Sequence, residues 1–401
     1  MKKKITFIIV IASIITSILT GCWDRRELNE LGIVAAIGLD KDTKTGNILL
    51  TSQIVRPGAL EKKGGGGNEP PYEIVITSGT TIFEAIRNTV REFDRRSFFS
   101  HVKVIVISEE LAREGLNDVI DLITRSHELR KTAWLVISSG SRAQDMLGIK
   151  HGIDKIQANY MLGIIKRDKI SPYVTTSSVM DFIKKMPGEV IQPVTGVFKI
   201  VNVESIPPEG TQPEKKEGIK LTGTAVFKKD KLIGFLNEEE TLGFSILSKN
   251  KKNVPINVPS PLNDKKEICI EIVNIKSNIK PVIIGNKISF NIEVKVEGNI
   301  AEVQDNIDVS NLEIFDKVNV KFSEFIQNEL EIALKKIQGD LKIDTLGFGN
   351  SLQRKYPKYW NDIKGQWDTI FPTVAYKLTV ETRLKRTGLS LKPVNAKKAD
   401  K

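Results

Sequence analysis

An α/β first half followed by a strand-rich α+β second half is the fold class that this 401-residue chain predicts. Three observations predict it. Between Tyr72 and Ser138, strand-like and helix-like periodicities alternate, which implies a layered α/β structure. Residues 204–218, ESIPPEGTQPEKKEG, mix Pro, Glu, Lys and Gly without apolar periodicity and mark a division of the chain. Beyond them, long β-like runs lead into one long amphipathic helix, expected to pack on a sheet. With 40% hydrophobic and 27% charged residues, the chain can bury ordinary cores and holds two or three domains. The divisions are a leader at 1–21, an N-terminal α/β region at 22–203, a linker or exposed loop at 204–218, a C-terminal α+β region at 219–386 and a basic tail at 387–401.

The leader begins with three lysines, residues 2–4, and continues as the apolar run ITFIIVIASIITSIL. As a helix this run spans about 22 Å, short of the about 30 Å hydrocarbon core, so it is not a lasting membrane span. Leu19, Thr20 and Gly21 supply a hydrophobic position and two small ones before Cys22, which resembles the lipobox of bacterial lipoproteins. Cys22 is then the lipidation site and the mature N-terminus. A two-chain diacylglycerol gives stable anchoring where a single acyl chain binds reversibly. The other cysteine, Cys269, has no partner for an intramolecular disulfide and is expected to fill core.

After the anchor, Asp24 and Glu27 fit a capping box, with Trp23 and Leu28 at the two positions of a hydrophobic staple. Arg25 and Arg26 oppose the dipole of that helix and suit phosphate headgroups or a partner. Residues 32–57 read as a hairpin, and residues 57–71, PGALEKKGGGGNEPP, as a flexible surface loop. Asp40 and Asp42 start like a calcium loop, but the glycine falls one place late and no glutamate closes it.

YEIVITSG, HVKVIVIS and TAWLVIS read as strands, separated by the helices TIFEAIRNTVREFD and LNDVIDLITRS. Thr81 and Glu84 form a capping box on the first helix, with Ile82, Ala85, Ile86 and Val90 as its inward face. Helical text continues to about residue 186, and EVIQPVTGVFKIVNV is extended. In the second half, residues 219–236 read as a hairpin, EEETLGFSIL as a short helix and Glu267 to Gly298 as long strands. In VKFSEFIQNELEIALKKIQGD, Phe322, Phe325, Ile326, Leu330, Ala333, Leu334 and Ile337 line one face. Glu331 and Lys335 are expected to pair, and Gly339 to end the helix. TVAYKLTVETRLKR is the last strand.

No phosphate loop, nucleophile elbow or CxxC pair occurs. His101, His127 and His151 lack metal-ligand spacing. Catalytic, cofactor and metal residues are therefore expected to be none. The net charge of +11 becomes +8 once the leader lysines are removed, and residues 383–401 carry +6 of that. Basicity thus sits in the tail, which suits an anionic membrane surface or wall polymer, or is solvated without a target; export removes nucleic acid as a partner. Phe348, Tyr356, Tyr359, Trp360, Trp367 and Phe371 either pack the last domain or offer a docking surface.

Two segments, CWDRRELNELGIVAAIGLD and DTLGFGNSLQRKYPKYW with its downstream W, IFP and TRLKRTGL, resemble the Ger(x)C family of spore germination lipoproteins. These are the C subunits of nutrient germinant receptors. The resemblance implies a three-domain mixed α/β ectodomain with no enzymatic activity and no cofactor. It implies lipid anchoring at Cys22 on the outer face of the spore inner membrane, beside a polytopic A subunit and a permease-like B subunit. Trp23, Asp24, Arg26, Glu27 and Leu28 match the motif without an agreed role. The alternative is a lipid-anchored solute-binding protein of a transporter, which would show two similar lobes; a wall-modifying enzyme is a third reading and lacks a recognisable nucleophile.

Overall fold

The computed structural model describes residues 4–7, 30–56, 71–149, 152, 154–205, 214–248, 253–285 and 287–386. They build a mixed α/β structure on two sheets. The first half supplies β1 (Leu31–Lys41), β2 (Ile48–Val55), β3 (Tyr72–Gly79), α1 (Ile82–Glu92), β4 (Arg96–Phe98), β5 (Val104–Ser108), α2 (Glu109–Glu114) and α3 (Asn117–Arg125). Then come β6 (Trp134–Ser138), α4 (Ala143–Gly148), α5 (Gln157–Lys166), β7 (Ser177–Ser178), α6 (Val179–Lys185) and β8 (Val194–Ser205). Past residue 213 follow β9 (Glu214–Lys228), β10 (Lys231–Leu236), α7 (Glu238–Leu247), β11 (Val254–Pro259), β12 (Glu267–Ile284) and β13 (Lys287–Val303). The chain closes with α8 (Leu312–Leu334), a π-helical turn (Lys335–Leu341), α9 (Phe348–Lys355), α10 (Pro357–Ile363), α11 (Trp367–Ile370) and β14 (Ala375–Arg386).

The first sheet runs β10-β9-β8-β6-β5-β1-β2-β3. Its centre, β8, β6, β5 and β1, is parallel, and antiparallel hairpins close both sides. Every residue of β5 is buried because helices cover both faces, as a parallel centre requires. Ile105 and Ile107 join one core with α1, α2, α3 and α6, while Val104 and Val106 join another with α4 and α5. The period of two thus divides one strand between two cores.

Residues 204–218, expected as a linker or exposed loop, are strand at both described ends. Ser205 registers with Glu214 and Val201 with Gly218, so its described residues lie in the β8–β9 pair. Backbone pairing with β8 overrides a composition poor in strand formers. β9 and β10 consequently belong to the first sheet although they lie beyond the expected division.

The second sheet runs β11-β12-β13-β14, with β14 parallel to β13. One face carries Ile268, Ile270, Ile272, Phe290, Ile292, Val294 and Val296 against Phe322, Ile326 and Leu330 of α8. The other carries cross-strand charges, including Lys280 to Glu293 at 2.6 Å and Lys295 to Glu381. Cys269, expected in the core, alternates with Ile268 and Ile270 and so turns to this outer face, half-buried opposite Glu302. Val194, Val226 and Leu236 of the first sheet belong to the same apolar cluster as α8, so the two sheets share a core.

Several helical expectations change. On α1, Thr89 is buried and Val90 is 63% exposed, because position 89 continues the turn of 82, 85 and 86; Thr89 donates its hydroxyl to the Ile86 carbonyl. Thr81 accepts from the Glu84 amide at 3.1 Å, but Glu84 reaches back to Thr80 instead of the cap's own amide. α8 begins at Leu312, capped by Asn311, and Gly339 does not end it: the chain widens into the π-helical turn and stops at Lys342, whose φ is 57°. Glu331 accepts from Gln327 at 2.9 Å, not from the expected Lys335.

Candidate functional site

Cys22, with Trp23 to Leu28, the loop at 57–70, His151 and the tail from 387, lies outside the described residues. The described chain resumes at Glu30 and enters β1 at once, at the centre of the first sheet. Among the described residues, no helix is long and apolar enough to cross a membrane.

The residues weighed for metal chemistry are dispersed or already engaged. Among the described residues no group of three or more His, Cys, Asp or Glu converges. Asp40 is buried at the end of β1 and accepts from the amides of Ala143 at 2.8 Å and Gln144 at 2.9 Å. It caps α4 from a strand a hundred residues earlier, and burial pushes its carboxyl up against those two bonds. Asp42 closes a local turn with Lys44 and Thr45 instead. Burial and then Glu302, Glu271 and Glu267 push the Cys269 thiol up, away from the thiolate form that reacts.

The aromatic residues of the second motif converge on Asp344. Its fully buried carboxylate accepts from the amides of Gly347 (2.8 Å), Phe348 (3.0 Å) and Gly349 (2.7 Å) and from Trp367 Nε1 (3.1 Å). It therefore holds the N-terminus of α9 and one tryptophan together. Burial pushes this carboxyl up, and the four N–H donors oppose that. Trp360 and Trp367 meet at 5.4 Å between centroids, Phe348 and Phe371 at 5.5 Å. A Cβ on Gly349 would stand 2.8 Å from the Trp360 ring, so only glycine admits the tryptophan there. Phe348, Trp360, Trp367 and Phe371 are buried, so these four pack the domain and offer no docking surface; Tyr356 and Tyr359 are half-buried at its edge.

This corner touches the first sheet. Gln192 donates its amide to the Asp344 carbonyl at 2.9 Å, and its side chain accepts from Lys229 N at 2.7 Å. Lys228 pairs with Asp368 at 2.8 Å. Above it, a buried hydroxyl chain runs from Thr241 of α7 to Thr224 of β9 (3.1 Å) and on to Thr175 (2.9 Å). α7 and α8 approach so closely at Gly243 that an added Cβ would lie 2.0 Å from the Glu329 carbonyl oxygen. The Glu329 carboxyl is buried there with Oε2 unpartnered. Burial and Glu239 raise it to about 7.

Sequence reasoning singled out Asp40 only as the start of a calcium-like loop and missed its capping role, and it missed Asp344 and Glu329. For Asp344 the signal was present, an acid three residues before a glycine that opens a helix. For the other two no local signal exists, since their partners are distant in sequence.

A separate groove of about 770 Å³ lies between α1, α2 and α3, floored by Ile48, Ile82, Leu111 and Val119. The pair Arg87 to Glu128 at 3.0 Å and the pair Lys41 to Glu114 bound it.

Comparison with known proteins places these features in a family. Residues 24–200 match the model described as the spore germination protein N-terminal domain, and residues 222–388 the spore germination B3/GerAC-like C-terminal model. Spore germination protein KC of Bacillus subtilis is 29% identical, with 98% of each chain covered. Spore germination protein B3 of the same organism is 26% identical over 92% of this chain and 95% of its own. The crystal structure of the GerBC protein shares the fold at a TM-score of 0.52 and 20% identity, covering 90% of this chain and 99% of that one. The chain belongs to the GerAC-like family of spore germination proteins.

Proposed function

We propose that this chain acts in spore germination as the lipid-anchored, non-enzymatic C subunit of a nutrient germinant receptor. The observation that carries the reading is end-to-end similarity to a spore germination protein, with 98% of both chains covered, behind a lipobox at Cys22. Cys22 carries diacylglycerol and holds the body on the outer face of the spore inner membrane, where it docks on the polytopic A and B subunits. Two sheets of unlike order do not make the paired similar lobes of a solute-binding protein, which favours this reading over that one.

Deletion of the gene is expected to abolish nutrient-triggered germination and to spare germination by agents that bypass receptors. A normal nutrient response in the deletion strain refutes the role. Intact-mass measurement should show a leaderless chain carrying a diacylglycerol thioether at Cys22; an unmodified cysteine or a retained leader refutes the anchor.

A further inference from the structure

β1 emerges at Leu31, nine residues after Cys22. Fully extended, those residues reach about 30 Å at most. The foot of β1 therefore stays near whatever holds Cys22.

What lies beside that foot is basic and partly apolar. Leu31 and Gly32 register with Arg96 and Ser97 of β4. Phe93 fills the space over Gly32, where an added Cβ would meet its ring at 2.4 Å. Next to this contact opens a concave pocket of about 400 Å³ whose lining includes Arg87, Val90, Phe93, Asp94, Arg95 and Arg96. Arg87 is engaged with Glu128. Arg95 and Arg96 are exposed and form no ion pair among the described residues, and Val90 is 63% exposed beside them. Asp94 is in the lining, while the exposed acids Glu30 and Glu92 stand outside it.

We propose that this pocket is a second, electrostatic contact with the membrane, in which Arg95 and Arg96 bind the phosphate of an anionic phospholipid. Two independent features meet at one place: the short tether limits how far the foot of β1 can stand from the bilayer, and the free guanidinium groups match the phosphate charge. Their planar forks suit a phosphate diester, and Val90 faces the glycerol and upper acyl region. The contact rests on the lipid-anchored reading for its orientation. It would hold the strand ends at the foot of β1 towards the bilayer and leave the opposite pole facing away.

The test uses the full mature chain carrying Cys22→Ala, so that binding does not depend on acylation. It is sedimented with vesicles of phosphatidylcholine alone or mixed with phosphatidylglycerol. The parent is expected to bind the anionic vesicles selectively, and Arg95→Gln with Arg96→Gln to weaken that binding about 30-fold. The loss should persist in a chain ending at Arg386, which removes the tail at 387–401. A urea midpoint equal to the parent's verifies that the double variant is folded. Equal binding by parent and double variant, or equal binding to both vesicles, overturns the contact. Intact mass reads the anchor separately: an acylated Cys22 without arginine dependence overturns this contact alone, and arginine-dependent binding with an unacylated Cys22 overturns the anchor alone.

Discussion

Replacing Asp344 by alanine strands four N–H groups inside the aromatic corner: three backbone amides at 2.7 to 3.0 Å and the Trp367 indole at 3.1 Å. A buried donor left without an acceptor costs about 1–3 kcal/mol. The gross penalty is offset in part because a buried carboxylate no longer has to be desolvated, which leaves a net loss of about 3–5 kcal/mol. That is a large share of the about 5–15 kcal/mol that holds a typical domain folded. Urea unfolding of the mature chain, followed by tryptophan fluorescence, reads this corner directly because Trp360 and Trp367 are buried in it. At a slope of about 2–3 kcal/mol per molar, the midpoint should fall by about 1–2 M. Asp344→Asn keeps the shape but turns an NH₂ towards the donors, so its loss should fall between parent and alanine. A midpoint unchanged in Asp344→Ala would refute the view that this carboxylate organises the corner.

Three further outcomes are expected. The Glu329 carboxyl titrates near 4.5 when unfolded and near 7 when folded, so the folded state binds its proton more tightly. Its stability contribution is complete below about pH 4.5 and is lost as pH rises through 7, on the order of 3 kcal/mol. Glu329→Gln should flatten that decline and exceed the parent's stability above pH 7, as thermal unfolding across pH will show; matching pH profiles would count against it. Gly243→Ala drives a methyl into the Glu329 carbonyl and should destabilise the α7–α8 contact by about 1–3 kcal/mol, with faster amide exchange in both helices. Asp40→Ala uncaps α4 across the first sheet and should cost about 1–2 kcal/mol of unfolding free energy.

Much of the fold was legible because its cues are local. The short apolar runs in YEIVITSG and HVKVIVIS, the three-to-four spacing of Phe322, Ile326, Leu330 and Ala333, and the turn residues between β9 and β10 each act within a few residues. The order of strands and helices is determined at that range. The start of α8 was misplaced because Asn311 caps an opening stretch of about two turns, LEIFDKVN, that lacks a clean apolar stripe and is held by packing.

The tertiary structure alone decided what depends on distant partners. It assigned β9 and β10 to the first sheet through pairing with β8, turned Asp40 from a calcium-like position into a helix cap, and buried the four ring systems around Asp344. It also placed Arg96 beside the first residue of β1, sixty-five positions away. Sequence periodicity reports which face of an element is apolar, but a hydrogen bond or strand pairing between remote residues exists only once the chain has chosen its neighbours.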